Sequence, residues 1–202
     1  MAASSELVLD PHFAPYVEPL VRPDAKRRCR LESLSRGDTA PPEHVCDRFV
    51  LAVPYAGREL RWSVLFNASA PELPPDIILG EQDDWGNSAA AAAVLQPLRQ
   101  WDTRATTGLA AVVDGLVELY RQQQKSLVQS LQHEGLQWEY DTFIGARGDV
   151  DCLVESDGGF VTVECTVPIA LSAGLVARVA GCGLVALSFS ETGAHLILKR
   201  IA

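Results

Sequence analysis

Cysteine and histidine are the side chains of this chain best suited to covalent or metal chemistry, and their spacing favours neither. A thiolate that is to hold an acyl group needs activation by a base or a nearby charge. It also needs a donor for the oxyanion that develops on the attacked carbonyl. No cysteine occurs from Asp47 to Asp151, and no histidine from Val45 to Gln132. Cys46 stands three residues ahead of Phe49, where an apolar strand run begins, and His195 has no carboxylate or cysteine near it in sequence, which suits a residue on a strand face. Asp83 and Asp84 invite a metal, but no second cluster of ligands lies close by and a solvated turn accounts for them. Arg22, Lys26, Arg27, Arg28 and Arg30 could form a patch for nucleic acid or an acidic partner. No aromatic residues for base stacking are interleaved, so they read as a solvated lead-in to a strand over Cys29 to Leu34. Catalytic, cofactor-binding and metal-binding residues are all expected to be absent, and no partner-binding residue can be named.

The elements that position these residues are clearest between Cys46 and Gly80. Two apolar runs flank Ala56-Gly57, and a turn there sets Tyr55 opposite Arg58, Val53 opposite Leu60, Leu51 opposite Trp62 and Phe49 opposite Val64. Val50, Ala52, Arg61 and Ser63 fall on the other face, the mixed set of a sheet covered on one side. A slip of one residue would bury arginine, so the register is well specified. Beyond Phe66, Pro71, Pro74 and Pro75 remove backbone donors and forbid helix before each ring, and the chain must run extended until Ile77 to Leu79 rejoin the sheet. Trp62 and Phe66 are expected to fill the core.

A meander followed by a strand that enters through P-x-x-P-P resembles the ubiquitin-conjugating fold. C-D-R-F at Cys46 to Phe49, P-Y-A-G at Pro54 to Gly57, F-N-A at Phe66 to Ala68 and P-E-L-P-P-D at Pro71 to Asp76 narrow the resemblance. They are similar to the BRE family, scaffold subunits of the BRISC and BRCA-A deubiquitinase assemblies that contain ubiquitin-conjugating-enzyme variant (UEV) domains. L-Q-P-L-R-Q-W at Leu95 to Trp101 and W-E-Y at Trp138 to Tyr140 extend the likeness on the C-terminal side. The resemblance implies an α+β chain: a UEV-like antiparallel meander flanked by helices over 1–137, then the start of a second, incomplete β-rich UEV-like module over 138–202.

It further implies a non-catalytic adaptor in ubiquitin signalling and the DNA-damage response, located in cytoplasm and nucleus. Its partners would be a metalloprotease-associated scaffold subunit, a von Willebrand A-like subunit and ubiquitin. Conjugating enzymes need their cysteine in the loop after the fourth strand and an H-P-N asparagine, and both are missing here. Asn87 alone remains in that loop, where it reads as a turn residue after Gly86. A free-standing reader of ubiquitin or peptides is the alternative, and an active conjugating enzyme with an unorthodox cysteine is the least favoured.

Composition agrees with these expectations. The 202 residues hold one full domain and a remainder. The N-terminus has no basic flank followed by an apolar run, and no apolar stretch reaches the roughly 20 residues that span a bilayer. Five cysteines without framework spacing suit reduced thiols, and a net charge of −9 disfavours direct binding to nucleic acid phosphates.

Outside the meander, Asp10-Pro11 suits the start of a short or kinked helix containing Phe13, Tyr16, Val17, Leu20 and Val21, weakened by Pro15 and Pro19. Thr39 to Glu43 is expected as a loop and Ser88 to Leu95 as an alanine-rich helix ended by Pro97. A long helix capped at Thr106 or Thr107 carries Leu109, Val112, Val113, Leu116, Leu119 and Tyr120 on one stripe, continued by Leu127, Val128 and Leu131. Gly135 marks its end, and a second set of strands is expected from Leu136. Val150 to Glu155 and Phe160 to Val167 form a hairpin around Asp157-Gly158-Gly159, which sets Cys152 opposite Cys165. Packing of two small thiols is preferred there over a redox pair. Leu184 to Phe189 and His195 to Ile201 make another hairpin around Glu191-Thr192-Gly193. With no helix after these strands, one apolar face of their sheet is expected to lie uncovered.

Overall fold

A computed structural model describes residues 7–25, 27–37, 45–80, 89–131, 134–146, 150–157, 160–169, 185–190 and 193–201. Helices and two four-stranded antiparallel sheets make an α+β chain, one sheet ordered Arg30–Ser35, Arg48–Tyr55, Arg58–Leu65, Asp76–Ile78 and the other Asp151–Asp157, Phe160–Ile169, Gly193–Ile201, Val185–Ser190. Two compact units divide it, one of Met1–Pro54 with Glu59–Leu119, the other of Tyr55–Arg58 with Tyr120–Ala202. No helix among the described residues is long and apolar enough to cross a membrane.

In the first unit, strands β2 (Arg30–Ser35), β4 (Arg48–Tyr55), β5 (Arg58–Leu65) and β6 (Asp76–Ile78) form the meander. The turn between β4 and β5 occupies Ala56 and Gly57, both at positive φ (47° and 75°), so it is the tight two-residue turn that the register required. Phe49, Leu51, Val53, Trp62 and Val64 are buried as the alternation demands, whereas Arg48, Glu59 and Arg61 are exposed. β6 pairs with β5 through Ile77 opposite Val64, directly after the proline segment, in which Pro75 is buried. β2 carries an irregularity between Glu32 and Ser35, where Ser33 takes φ 49° and the strand bulges against β4.

Helix α1 (Ala14–Val21) tolerates Pro15 in its first turn, where the missing donor costs little, and holds Pro19 within its length. Phe13, just ahead of α1, and Tyr16 within it stack on Phe66 with ring centroids 4.3 and 6.1 Å apart, and Trp101 meets Tyr16 at 4.9 Å. The Tyr16 hydroxyl donates to the Thr103 carbonyl at 2.8 Å, so this aromatic cluster is also tied by a hydrogen bond. One feature had no signal in the sequence: β1 (Val8–Leu9) pairs in parallel with β3 (Val45–Cys46), two residues each.

Pro97 does not simply end the alanine-rich helix. α2 (Ala89–Val94) is followed at once by a single turn, α3 (Gln96–Arg99), with Pro97 in its first turn, and then by α4 (Gly108–Ser130). Gly115 is explained by close approach: a Cβ there would come within 2.7 Å of a Val94 methyl. Leu109, Val112, Val113 and Leu116 are buried as expected, as is Val117.

In the second unit the α4 stripe departs from expectation. Val128 is buried, but Leu127 is 40% exposed, because the inward line continues at steps of four through Tyr120, Gln124 and Val128. Gln124 is polar and buried for a reason: its amide oxygen accepts the Val154 N–H at 2.8 Å. The segment expected as strand from Leu136 is instead α5 (Glu134–Ala146), and Gly135 lies in its first turn. Strand begins only at β7 (Asp151–Asp157). β7 pairs with β8 (Phe160–Ile169), and Cys152 stands opposite Cys165 as read from the sequence. β9 (Val185–Ser190) and β10 (Gly193–Ile201) form the last hairpin, with β10 also pairing β8.

The apolar face of the β7–β8 pair is not left bare. Val128 of α4 and Tyr140 of α5 join Val150, Cys152, Val163 and Cys165 in one buried cluster, so the helices that cover these strands precede them in sequence. Tyr55, at the hairpin tip, donates its hydroxyl to the Cys152 carbonyl at 2.9 Å and meets the Tyr120 ring edge-on at 4.9 Å. Arg58 forms a forked ion pair with Glu155, and Arg121 reaches Asp151 at 2.6 Å.

Candidate functional site

The thiols come first, since any acyl-transfer chemistry would need one. Cys29 is buried, its S–H lies 3.5 Å from the Arg27 carbonyl, and burial, opposed by Arg27 and aided by Asp114, pushes the thiol up to about 12. Cys46 is sealed from solvent on β3, and burial and then the Asp47 carboxylate push its thiol up as well, against a weaker pull from Arg36. Both therefore remain protonated near neutral pH, the form that does not attack a carbonyl. Cys152 and Cys165 form a disulfide, which corrects the preference for two packed thiols. The two residues are directly opposed across β7 and β8, with Cα atoms 4.2 Å apart.

Among the described residues no three histidine, cysteine or acidic side chains are grouped to hold a metal. Asp83, Asp84, Gly86 and Asn87 lie outside the described residues, as do the Thr39 to Glu43 loop and the turns at Gly158-Gly159 and Glu191-Thr192. His195 is opposite Pro168 and Ser188 in the backbone register of β10.

Of the basic cluster, Lys26 lies outside the described residues, and Arg22, Arg27 and Arg30 are engaged locally. Arg27 donates to the Pro54 carbonyl at 3.2 Å, Arg22 pairs with Asp24 at 3.5 Å, and Arg30 binds Glu59 through Nε at 3.1 Å and Glu32 at 3.1 Å. Arg61 adds contacts to Glu32 at 3.3 Å and Glu59 at 3.8 Å, so the outer face of the meander carries an interleaved network of both signs.

The quoted motifs resolve into structural roles. In C-D-R-F, Asp47 is 1% exposed, and its carboxylate accepts the Gly37 N–H at 2.7 Å and the Ala68 N–H at 3.3 Å. Its own carbonyl accepts the Phe66 N–H at 2.9 Å. P-Y-A-G is the tight turn. In F-N-A, Phe66 joins the aromatic cluster and Asn67 closes a turn by accepting the Ser69 N–H at 3.0 Å. Trp101, at the end of L-Q-P-L-R-Q-W, walls an open groove shared with Pro97, Ala105 and Gly108, while its indole nitrogen is turned inward. In W-E-Y, Tyr140 is buried but Trp138 is 71% exposed.

Residues 8–162 match the model of the family described as brain and reproductive organ-expressed protein (BRE). This chain belongs to the BRE family. It is 35% identical over 122 residues to "BRISC and BRCA1-A complex member 2" of Danio rerio, a match covering 60% of this chain and 30% of the relative. A protein of the same name from Branchiostoma floridae is 32% identical over 145 residues, covering 68% of this chain and 37% of that one. The match thus covers about a third of the length of these curated BRE relatives. It takes in every motif on which the resemblance was read, including Asp47, the Ala56-Gly57 turn and the proline bend.

Proposed function

We propose that this chain is a non-catalytic scaffold subunit of a deubiquitinase complex of the BRISC and BRCA1-A type, built on a UEV-like domain. The family match over residues 8–162 carries the reading. The relatives are named as members of such complexes, and the protonated, enclosed states of Cys29 and Cys46 support a role through surfaces rather than through transfer chemistry. A meander entered by a proline bend and followed by helices supports the UEV likeness of residues 1–137, with a second such module beginning in 138–202. The partners on this reading are a metalloprotease-associated scaffold subunit, a von Willebrand A-like subunit and ubiquitin. The setting is ubiquitin signalling and DNA repair in cytoplasm and nucleus.

Affinity purification of the tagged endogenous protein is expected to recover those two subunits in constant proportion. A stable assembly containing neither would remove the proposal. The inert chemistry has its own check: incubated with ubiquitin-activating enzyme, ubiquitin and ATP, the chain is expected to form no adduct that thiol reduction releases. A reducible, transferable adduct would make it an enzyme.

A further inference from the structure

Helix α5 presents two unlike faces. Tyr140 is buried in the cluster beneath β7 and β8, and the Gln137 amide donates to the Gln129 carbonyl at 3.0 Å and to that of Leu131, which ties this side to the end of α4. On the opposite side Glu134, Gly135, Trp138, Asp141 and Thr142 are all exposed. At helical spacing, Glu134 and Asp141 stand one turn before and one turn after Trp138 on the same face. Gly135 has no side chain and Thr142 a short one, which leaves room beside the indole.

Trp138, at 71% exposure, is the most exposed large apolar side chain among the described residues. Tryptophan at a surface is a strong anchor for a partner, and its ring face attracts cations. Here it is bracketed by two carboxylates on a helix that carries no lysine or arginine, in a chain of net charge −9. Those charges disfavour an acidic occupant, and they disfavour a second copy of the same face. They complement a cation whose apolar stem can lie along the indole.

We infer that this face of α5 is a docking point for a lysine- or arginine-bearing segment of a partner protein, held by Trp138 and steered by Glu134 and Asp141. The inference goes beyond the scaffold reading and does not depend on membership of any particular complex.

The test uses the purified full chain and a fluorescein-labelled peptide of alternating glycine and arginine, with a glycine and glutamate peptide as control. Saturable binding of the arginine peptide is expected at low salt. It should weaken about tenfold in Trp138→Ala and several-fold in the Glu134→Gln/Asp141→Asn double variant, and recover in part in Trp138→Phe. Because all three side chains are exposed, the far-ultraviolet circular dichroism of each variant should match the parent. No saturable binding by the parent, equal binding of the acidic peptide, or affinity in Trp138→Ala within about twofold of the parent overturns the inference. So does a concentration-dependent dimer of the parent that Trp138→Ala abolishes, since the face would then serve a second copy.

Discussion

Replacing Trp62 by alanine is expected to remove about 3–5 kcal/mol of stability, enough to leave little of the fold of the first unit at physiological temperature. Trp62 lies on β5, one of two central strands of the meander, on the face that also buries Phe49, Leu51, Val53 and Val64. It is 0% exposed, the largest of the fully enclosed side chains, and the turn at Ala56-Gly57 prevents β5 from sliding to fill the space left behind. A cavity that cannot collapse costs both the lost transfer free energy and the lost packing contacts. Trp62→Phe keeps much of the volume and should cost considerably less. Urea unfolding followed by circular dichroism measures both. A midpoint for Trp62→Ala indistinguishable from that of the parent would show that this face is not the core.

What the sequence made legible was local. The β4–β5 hairpin followed from a two-residue turn and a period-two alternation, and the β7–β8 register, with Cys152 opposite Cys165, followed from the same logic. The proline bend was legible because Pro71, Pro74 and Pro75 act through their own backbones. Gly115 announced a packing constraint without naming Val94 as its cause. What escaped depended on distant residues. Gly135 read as a helix end although it lies in the first turn of α5, since glycine marks an end only when nothing beyond it packs, and Tyr140 does. Leu127, expected on the buried stripe, is exposed, while Gln124 lies inward and its amide oxygen accepts the Val154 N–H. The parallel β1–β3 pair is too short to leave a period. The chemistry of the thiols was legible in part: the place of Cys46 ahead of a strand is in the sequence, but the burial that holds it protonated comes from the fold. Trp138 belongs to the W-E-Y motif, in which nothing marks it as the residue that faces outward.

Asp47 is the clearest case of a residue whose importance only the structure discloses, and replacing it by alanine is expected to cost about 3 kcal/mol. A single carboxylate before a strand has no sequence signature, because its partners are Gly37 and Ala68, 10 and 21 residues away. Through them it joins the segment after β2 to the segment after β5, while its carbonyl holds the Phe66 amide and thereby the start of the aromatic cluster. Alanine would strand two backbone N–H groups at a site from which solvent is almost excluded, and each unsatisfied buried donor costs about 1–3 kcal/mol. Asparagine can still accept from Gly37 but would turn its amide N–H₂ towards the Ala68 N–H, so Asp47→Asn should fall between alanine and the parent. Glu59→Ala is the matched control: its carboxylate contacts Arg30 and Arg61 in the outer network, where each exposed pair is worth about 0–1 kcal/mol. Chemical denaturation of the three variants should therefore rank Asp47→Ala least stable, Asp47→Asn next and Glu59→Ala closest to the parent. If Asp47→Ala and Glu59→Ala lose equal stability, the carboxylate is not clamping these segments, and the C-D-R-F motif has another cause.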